Sequence, residues 1–247
     1  MRFHPIFLEE VESTNSLLKD MARQGAPLGT AVCAKRQTGG RGRLERSFSS
    51  LEGGLYLSLL LPFGGGFDAG LLTTYAAIAV ARAVERVFGV EVKIKWVNDL
   101  LVGGKKICGI LAEGVAVDGV SLAVVGIGVN LYNKLPSELS DIAASLFELC
   151  GKKVEPRVLF EALLEEFAAF DKAEPTGHLD EYRHRSAIIG EIITVIPHTG
   201  EEYEAKALSV MDDGALLVER VDNGETIRIF GGEVSTKLKS KVGREEK

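Results

Sequence analysis

Two tight-turn signals, Gly103-Gly104 and Asp118-Gly119, restrict the fold of this chain more than any other feature. Pairs of this composition supply the positive φ angles that a two-residue β-hairpin needs. They join Asp99–Val102, Lys105–Glu113 and Val120–Gly128 into an antiparallel meander. Just upstream, Val90, Val92, Ile94 and Trp96 alternate with Glu91, Lys93 and Lys95, which predicts a half-buried strand over Val90–Trp96. Thr30–Lys35 and the mostly apolar Gly54–Leu61 read as further strands.

Helical patterns surround these runs. Ser13 is placed to cap a helix that carries Leu17, Leu18, Met21 and Ala22 on one face and stops at Gly25. Leu72, Tyr75, Ala76, Ala79, Ala83 and Val87 repeat at helical spacing between Asp68 and Gly89. Asp141–Cys150 and Pro156–Ala173 are expected helices, with Pro156 at a first helical position, and a shorter one is expected over Asp180–Arg185. From about Glu191 the texture changes. Glu191–Ile196, Tyr203–Val210, Ala215–Arg220 and Thr226–Phe230 are short strand runs separated by His198-Thr199-Gly200, Asp212-Asp213-Gly214 and Asp222-Asn223-Gly224. Close-set strands with such turns predict a small all-β barrel. The expected organisation is α+β: a main domain over 1–187, a small barrel over 188–238 and a charged tail over 239–247.

A length of 247 residues suits one large and one small domain, and 46% hydrophobic content argues against disorder. The apolar run Leu55–Pro62 is too short to span a bilayer, and no charged start precedes a long apolar stretch. Cys33, Cys108 and Cys150 are odd in number and far apart, so reduced thiols in a cytoplasmic protein are expected. The formal net charge of −6 disfavours a general nucleic-acid binder. Yet Lys35, Arg36, Arg41, Arg43 and Arg46 crowd into twelve residues against the single Glu45, beside Gly39, Gly40 and Gly42. Positive charge on a pliable backbone suggests a local anion site.

Several sites are excluded. There is no G-x-S-x-G and no H-E-x-x-H, and Val102-Gly103-Gly104-Lys105-Lys106 lacks the first glycine and hydroxyl of a Walker loop. Glu45 and Leu131 stand where the third glycine of a G-x-G-x-x-G would be. Four signals remain, each with an ordinary reading. Ser13-Thr14-Asn15 is a helix cap or a holder of a small polar ligand. Gln37–Arg46 is a mobile basic loop or an anion clamp. Lys95-Trp96-Val97-Asn98-Asp99 is a strand end around a core tryptophan, or a lysine, amide and carboxylate delivered together. Lys105–Leu111 with Gly126-Ile127-Gly128-Val129-Asn130 is a hairpin pair, or a glycine floor beneath a ligand that Lys106 reaches.

In this order the blocks resemble biotin protein ligase. They are Ser13-Thr14-Asn15, Gln37–Arg43 with Arg46, Lys95–Asp99, Lys105–Leu111 with Glu113, Gly126–Asn130 and a closing Gly231-Gly232-Glu233-Val234-Ser235. The resemblance runs from about Glu9 to Lys237. It implies a mixed sheet flanked by helices, related to class II aminoacyl-tRNA synthetases, with a C-terminal SH3-like barrel. It further implies that ATP and biotin give biotinyl-5′-AMP, with Mg²⁺ screening the phosphates, and that biotin passes to a lysine of a biotin carboxyl carrier domain. By matching positions, biotin would meet Ser13, Thr14, Asn15, Gln37, Arg41, Gly42, Arg43 and Lys106. ATP would meet Arg43, Arg46, Phe48, Asn98 and Asn130. Arg41, Arg43 and Lys106 would neutralise the reacting anions, and Asp99 would take a proton from the acceptor lysine or steer it. Homodimers are common in such a family.

The chain departs from that pattern in four places. Val97 replaces a proline, Leu44-Glu45 replaces Arg-Gly, Phe48 replaces a tryptophan, and Gly39 replaces an alanine, which is expected to free the loop before binding. Because the Ser-Thr-Asn block starts at residue 13, no DNA-binding domain precedes it in this chain, and a ligase without repressor activity is expected. The rival readings are a lipoate-type acyl-adenylate ligase, an Arg-Gly nucleic-acid module and a catalytically silent biotin-binding regulator.

Overall fold

The computed structural model describes residues 1–44, 46–197, 200–230 and 234–238. Seven strands form the main sheet: β1 (His4–Val11), β2 (Thr30–Gln37), β3 (Leu55–Pro62), β4 (Lys93–Lys95), β5 (Asp99–Val102), β6 (Lys105–Val117) and β7 (Val120–Val129). Their order is β1-β2-β3-β7-β6-β5-β4. β1 and β2 are parallel and every other neighbouring pair is antiparallel, so the sheet is mixed. The two glycine turns form the expected meander β5-β6-β7, with positive φ at Gly103, Gly104, Asp118 and Gly119.

Both faces of the sheet are covered, which explains why β3 reads as an almost unbroken apolar run. Leu55, Leu57, Leu59 and Leu61 join the main core under α2 (Ala69–Phe88), together with Leu72, Ile78 and Val80. Leu60 faces the other way and packs with Leu18 and Ala22 of α1 (Thr14–Arg23), with Val32 and Val124. Strand alternation therefore aims Ser58, the one serine of β3, at the same side as α1. α1 is capped by Ser13, whose side chain accepts from the Ser16 amide, and α2 runs from an Asp68 cap to a left-handed Gly89. None of the described helices is long and apolar enough to cross a membrane.

A second, antiparallel sheet follows: β8 (Ile192–Pro197), β9 (Tyr203–Val210), β10 (Leu216–Arg220), β11 (Thr226–Ile229) and β12 (Val234–Leu238), ordered β11-β10-β9-β8-β12. Ile193, Val195, Ala205, Ala207, Leu216 and Val218 fill it. His198 and Thr199 of an expected turn, Gly231–Glu233 of the closing motif and the tail 239–247 lie outside the described residues.

Trp96 ties the two sheets together. It is 4% exposed, and its Nε1 donates to the Gly214 carbonyl over 3.0 Å, in the turn between β9 and β10. Replacing Trp96 by phenylalanine removes that donor and leaves a buried carbonyl unpaired. The expected loss is about 1–3 kcal/mol of stability, read as a lower denaturant midpoint. An unchanged midpoint would remove this contact from the account.

Four elements differ from the sequence expectation. β1 has no counterpart there: it is an edge strand carrying Pro5, Glu9 and Glu10, with Phe7 half exposed, so it lacks a clean alternation. The strand expected over Val90–Trp96 pairs only at Lys93–Lys95, because the Val92 amide is taken by the Glu85 carboxylate at 3.0 Å. The helix expected over Asp141–Cys150 shrinks to α3 (Leu146–Cys150), set by a Ser145/Glu148 capping box. The segment before it is a strap: the Lys106 amide donates to Ile142 at 2.9 Å, and the Ala144 amide donates to Lys106 at 3.1 Å. The helix from Pro156, α4, ends at Phe167 and gives way to a single 3₁₀ turn over Phe170–Lys172; the last helix, α5, covers Leu179–Arg185.

Candidate functional site

A cavity of about 170 Å³ opens beside β6 and β7. The register shows its axis. Gly126 of β7 stands opposite Leu111, and Gly128 opposite Gly109, which in turn pairs with Asp99 of β5. The two ends are therefore two residues apart along the strands, about 7 Å.

At the Gly126 end lie Thr14 and Asn15, the first residues of α1, with Gln37 from the end of β2. Gln37 Oε1 accepts from the Thr14 amide at 2.8 Å and lies 3.0 Å from Thr14 Oγ1. Its Nε2 donates to Ser50 Oγ at 2.8 Å. Ser58 Oγ stands 2.7 Å from Thr14 Oγ1 and 2.6 Å from Asn15 Oδ1. These three oxygen–oxygen contacts share only two hydroxyl protons, one each from Ser58 and Thr14. The end is rich in acceptors and short of donors, which suits a ligand that brings N–H groups.

Gly126 is required here. A side chain would place its Cβ 2.3 Å from Asn15 Oδ1. Gly126→Ala should displace the Asn15 amide and raise the KM of the ligand bound at this end by roughly tenfold, the cost of about one neutral hydrogen bond. A KM within twofold of wild type would contradict this geometry.

The other end is charged. Lys106 Nζ pairs with Asp99 Oδ1 at 2.6 Å, both side chains about a quarter exposed. The strap holds the Lys106 backbone on both sides while its side chain turns inward. Asn98 is fixed by its Nδ2, which donates to Ile110 O at 2.8 Å, and its Oδ1 accepts from Arg43 at 3.1 Å. Burial draws the Arg43 guanidinium below its ordinary pKa, with the Asp99 carboxylate opposing the shift. The Tyr182 hydroxyl donates to the Val97 carbonyl at 2.9 Å and anchors the turn that presents Asn98 and Asp99. The peptide bond between Trp96 and Val97 is cis.

The glycine–arginine segment closes over this end as a miniature hairpin. Gly42 N donates to Arg46 O at 2.7 Å, Phe48 N donates to Gly40 O at 2.8 Å, and Arg41 bridges to Ser47. Arg41 and Arg46 lie exposed at the rim, and Leu44 takes a positive φ of 57°. Glu45 lies outside the described residues. Gly39, expected to loosen the loop, is held: its amide donates to Glu12 O at 2.8 Å.

Of the predicted site residues, Ser13, Thr14, Asn15, Gln37, Arg41, Gly42, Arg43, Arg46, Phe48, Asn98, Asp99 and Lys106 all line this one cavity. Asn130 does not: it is buried just past β7, and its Oδ1 accepts from Asn133 Nδ2 at 3.1 Å. Phe48, expected to meet ATP, packs within the site itself. Its ring rests on Gly109 and Gly128, edge-on to Tyr56 at 6.5 Å, with Lys106 Nζ 5.8 Å from its centroid. The floor that the three glycines were expected to leave open is thus covered by Phe48 and Asn15. Ser58, Ser50, Glu113 and Lys19 were given no role by the sequence. Ser58 had a legible signal, a lone serine hydroxyl in an apolar strand, and Glu113 closes the Lys105–Leu111 motif block.

Known proteins share this architecture. Residues 7–130 match the biotin/lipoate A/B protein ligase family. The chain is 35% identical over 226 residues to a bifunctional ligase/repressor BirA of Bacillus subtilis, covering 87% of this chain and 69% of that one. It is 32% identical over 236 residues to a biotin–[acetyl-CoA-carboxylase] ligase of Mycobacterium tuberculosis, covering 90% and 85%. Among solved structures, a biotin protein ligase from Aquifex aeolicus in complex with biotin and ATP superposes with a TM-score of 0.79 at 28% identity, over 96% of this chain and 99% of that one.

Proposed function

Since the chain belongs to the biotin/lipoate A/B protein ligase family, we propose that its cavity binds biotin and ATP and that the protein is an ATP-dependent biotin–protein ligase. The observation that carries the choice of acid is the polarity of the cavity. Acceptors at Asn15, Gln37 and Thr14, with Ser58 buried behind them, gather at one end, and cations at the other. Biotin matches both, with two ureido N–H donors on its ring and a carboxylate at the end of its chain. Lipoate has a carboxylate but no N–H donor, and binding it would bring no donor to the spare acceptor capacity of Thr14, Asn15 and Gln37.

Biotin's carboxylate is already ionised at neutral pH, so the first step needs alignment and charge neutralisation rather than a base. A carboxylate oxygen attacks the α-phosphorus of ATP, the bond to the β-phosphate bridge oxygen breaks, and pyrophosphate leaves. Lys106, Arg43 and the rim residues Arg41 and Arg46 offset the charge that builds there. Mg²⁺ arrives with the phosphates, as part of the MgATP substrate. In the second step the amine of a carrier-domain lysine attacks the acyl carbon and AMP departs. The proton released by that amine goes to Asp99, which shares the Lys106 end of the cavity. The residues over 1–187 carry this chemistry and those over 188–238 buttress it through the Trp96 contact. The partner is the biotin carrier of a carboxylase, encountered in the cytoplasm.

The test is ATP–pyrophosphate exchange with each acid in turn. Exchange that depends on biotin and does not respond to lipoate is expected. Exchange driven by lipoate and not by biotin would transfer the protein to the other branch of its family.

A further inference from the structure

Glu113 lies behind Asn15, outside the lining of the biotin cavity. Asn15 Nδ2 faces two groups that only accept: the Leu111 carbonyl at 3.2 Å and Glu113 Oε2 at 2.8 Å. Turning the amide over would set its oxygen against a carbonyl and a carboxylate at once. The amide orientation is therefore dictated by chemistry. Nδ2 is consumed, and Oδ1 is presented over Gly126 beside Ser58, toward the cavity.

The carboxylate is itself held. Lys19 Nζ reaches Glu113 Oε1 at 2.7 Å, with the two side chains 16% and 22% exposed. Lys19 stands one helical turn after Asn15, on the same face of α1. Both residues therefore grip Glu113 of β6 from a single rigid element. Burial alone would raise the Glu113 pKa, but the hydrogen bonds from Lys19 and Asn15 outweigh it and hold the group below the ordinary carboxylate range. A charged acceptor thus stays in place through neutral pH.

We infer that Glu113, anchored by Lys19, is a positioning residue that locks the Asn15 carboxamide with its oxygen toward the cavity, and so sets the site's preference for a ureido N–H donor. The inference rests on the biotin reading above. It extends that reading to residues outside the lining of the biotin cavity, which act through the orientation of one amide.

Glu113→Gln is the direct test, because glutamine keeps the size and offers both a donor and an acceptor to Asn15. The amide then loses the shorter of its two orienting acceptors and keeps only the Leu111 carbonyl at 3.2 Å. The KM for biotin should rise roughly tenfold, about the weight of one oriented hydrogen bond, while the KM for ATP stays within about twofold. The preference for biotin over analogues methylated on one ureido nitrogen should fall by a similar factor. Lys19→Met should act in the same direction with a smaller effect, and Lys19→Arg should restore near-normal values; these two carry the test if Glu113→Gln does not fold. A purely structural tether would lower stability without changing the analogue preference. That pattern, or an unchanged biotin KM in both Glu113→Gln and Lys19→Met, overturns the inference. Absence of biotin-dependent exchange in the wild type would instead overturn the reading beneath it.

Discussion

Lys106→Ala should lower the rate of biotinyl-adenylate formation by about 10²–10³-fold, the range seen when one preorganised charge-stabilising group is removed from a reacting centre. Lys106 is the buried-edge cation whose backbone is pinned on both sides by the strap at Ile142 and Ala144. Its ammonium is therefore positioned before substrate arrives. Removal has a second effect, because Asp99 loses its partner 2.6 Å away and stays as an unpaired negative charge beside two incoming anions. The variant Asp99→Asn/Lys106→Ala should accordingly recover part of the adenylation rate, a coupling expected of residues in direct contact. Single-turnover formation of biotinyl-AMP, followed by rapid quench, reads both variants. A normal adenylation rate with slow transfer would move Lys106 to the second step.

Asp99→Asn alone should divide the reaction. Lys106 keeps its charge, so adenylation should stay within a few-fold of wild type. Transfer to the carrier lysine should fall by about 10²–10⁴-fold, the usual worth of a positioned general base. Biotinyl-AMP should then accumulate and persist in the presence of carrier, which a chase experiment would display directly. If solution deprotonation of the lysine takes over from Asp99, the decline of biotinyl-AMP should quicken as the pH rises toward the lysine pKa. Equal losses in both steps would mean that Asp99 serves only to hold Lys106.

Much of the fold was legible because local rules and tertiary structure agree. The Ser13 cap, the Asp68-to-Gly89 helix and the two glycine turns stand where their chemistry puts them. β1 escaped because an acidic edge strand that pairs in parallel has no local partner to reveal it. The length of β4 depended on Glu85 capturing the Val92 amide, and the extent of α3 on a strap pairing with Lys106. Neither contact is visible in a window of a few residues.

The site divides the same way. The motif blocks brought together twelve predicted residues, because each block sits at a strand end or helix start that the sheet order collects. What they missed is the layer behind. Asn15 meets Glu113 across 98 residues, Lys19 meets it across 94, and Ser58 reaches back 43 to Asn15. Asn130 shows the converse, a motif residue whose amide is occupied by a neighbouring asparagine.

In the reaction proposed above, one cavity activates biotin and delivers it to a lysine. Incubating the protein with radiolabelled biotin, MgATP and an isolated biotin carrier domain tests it most directly. The label on the carrier should survive denaturation, depend on ATP, disappear when the acceptor lysine is replaced by arginine, and not be matched by lipoate. A carrier that remains unlabelled while the protein binds biotin tightly would contradict it and leave a binding protein without transfer activity.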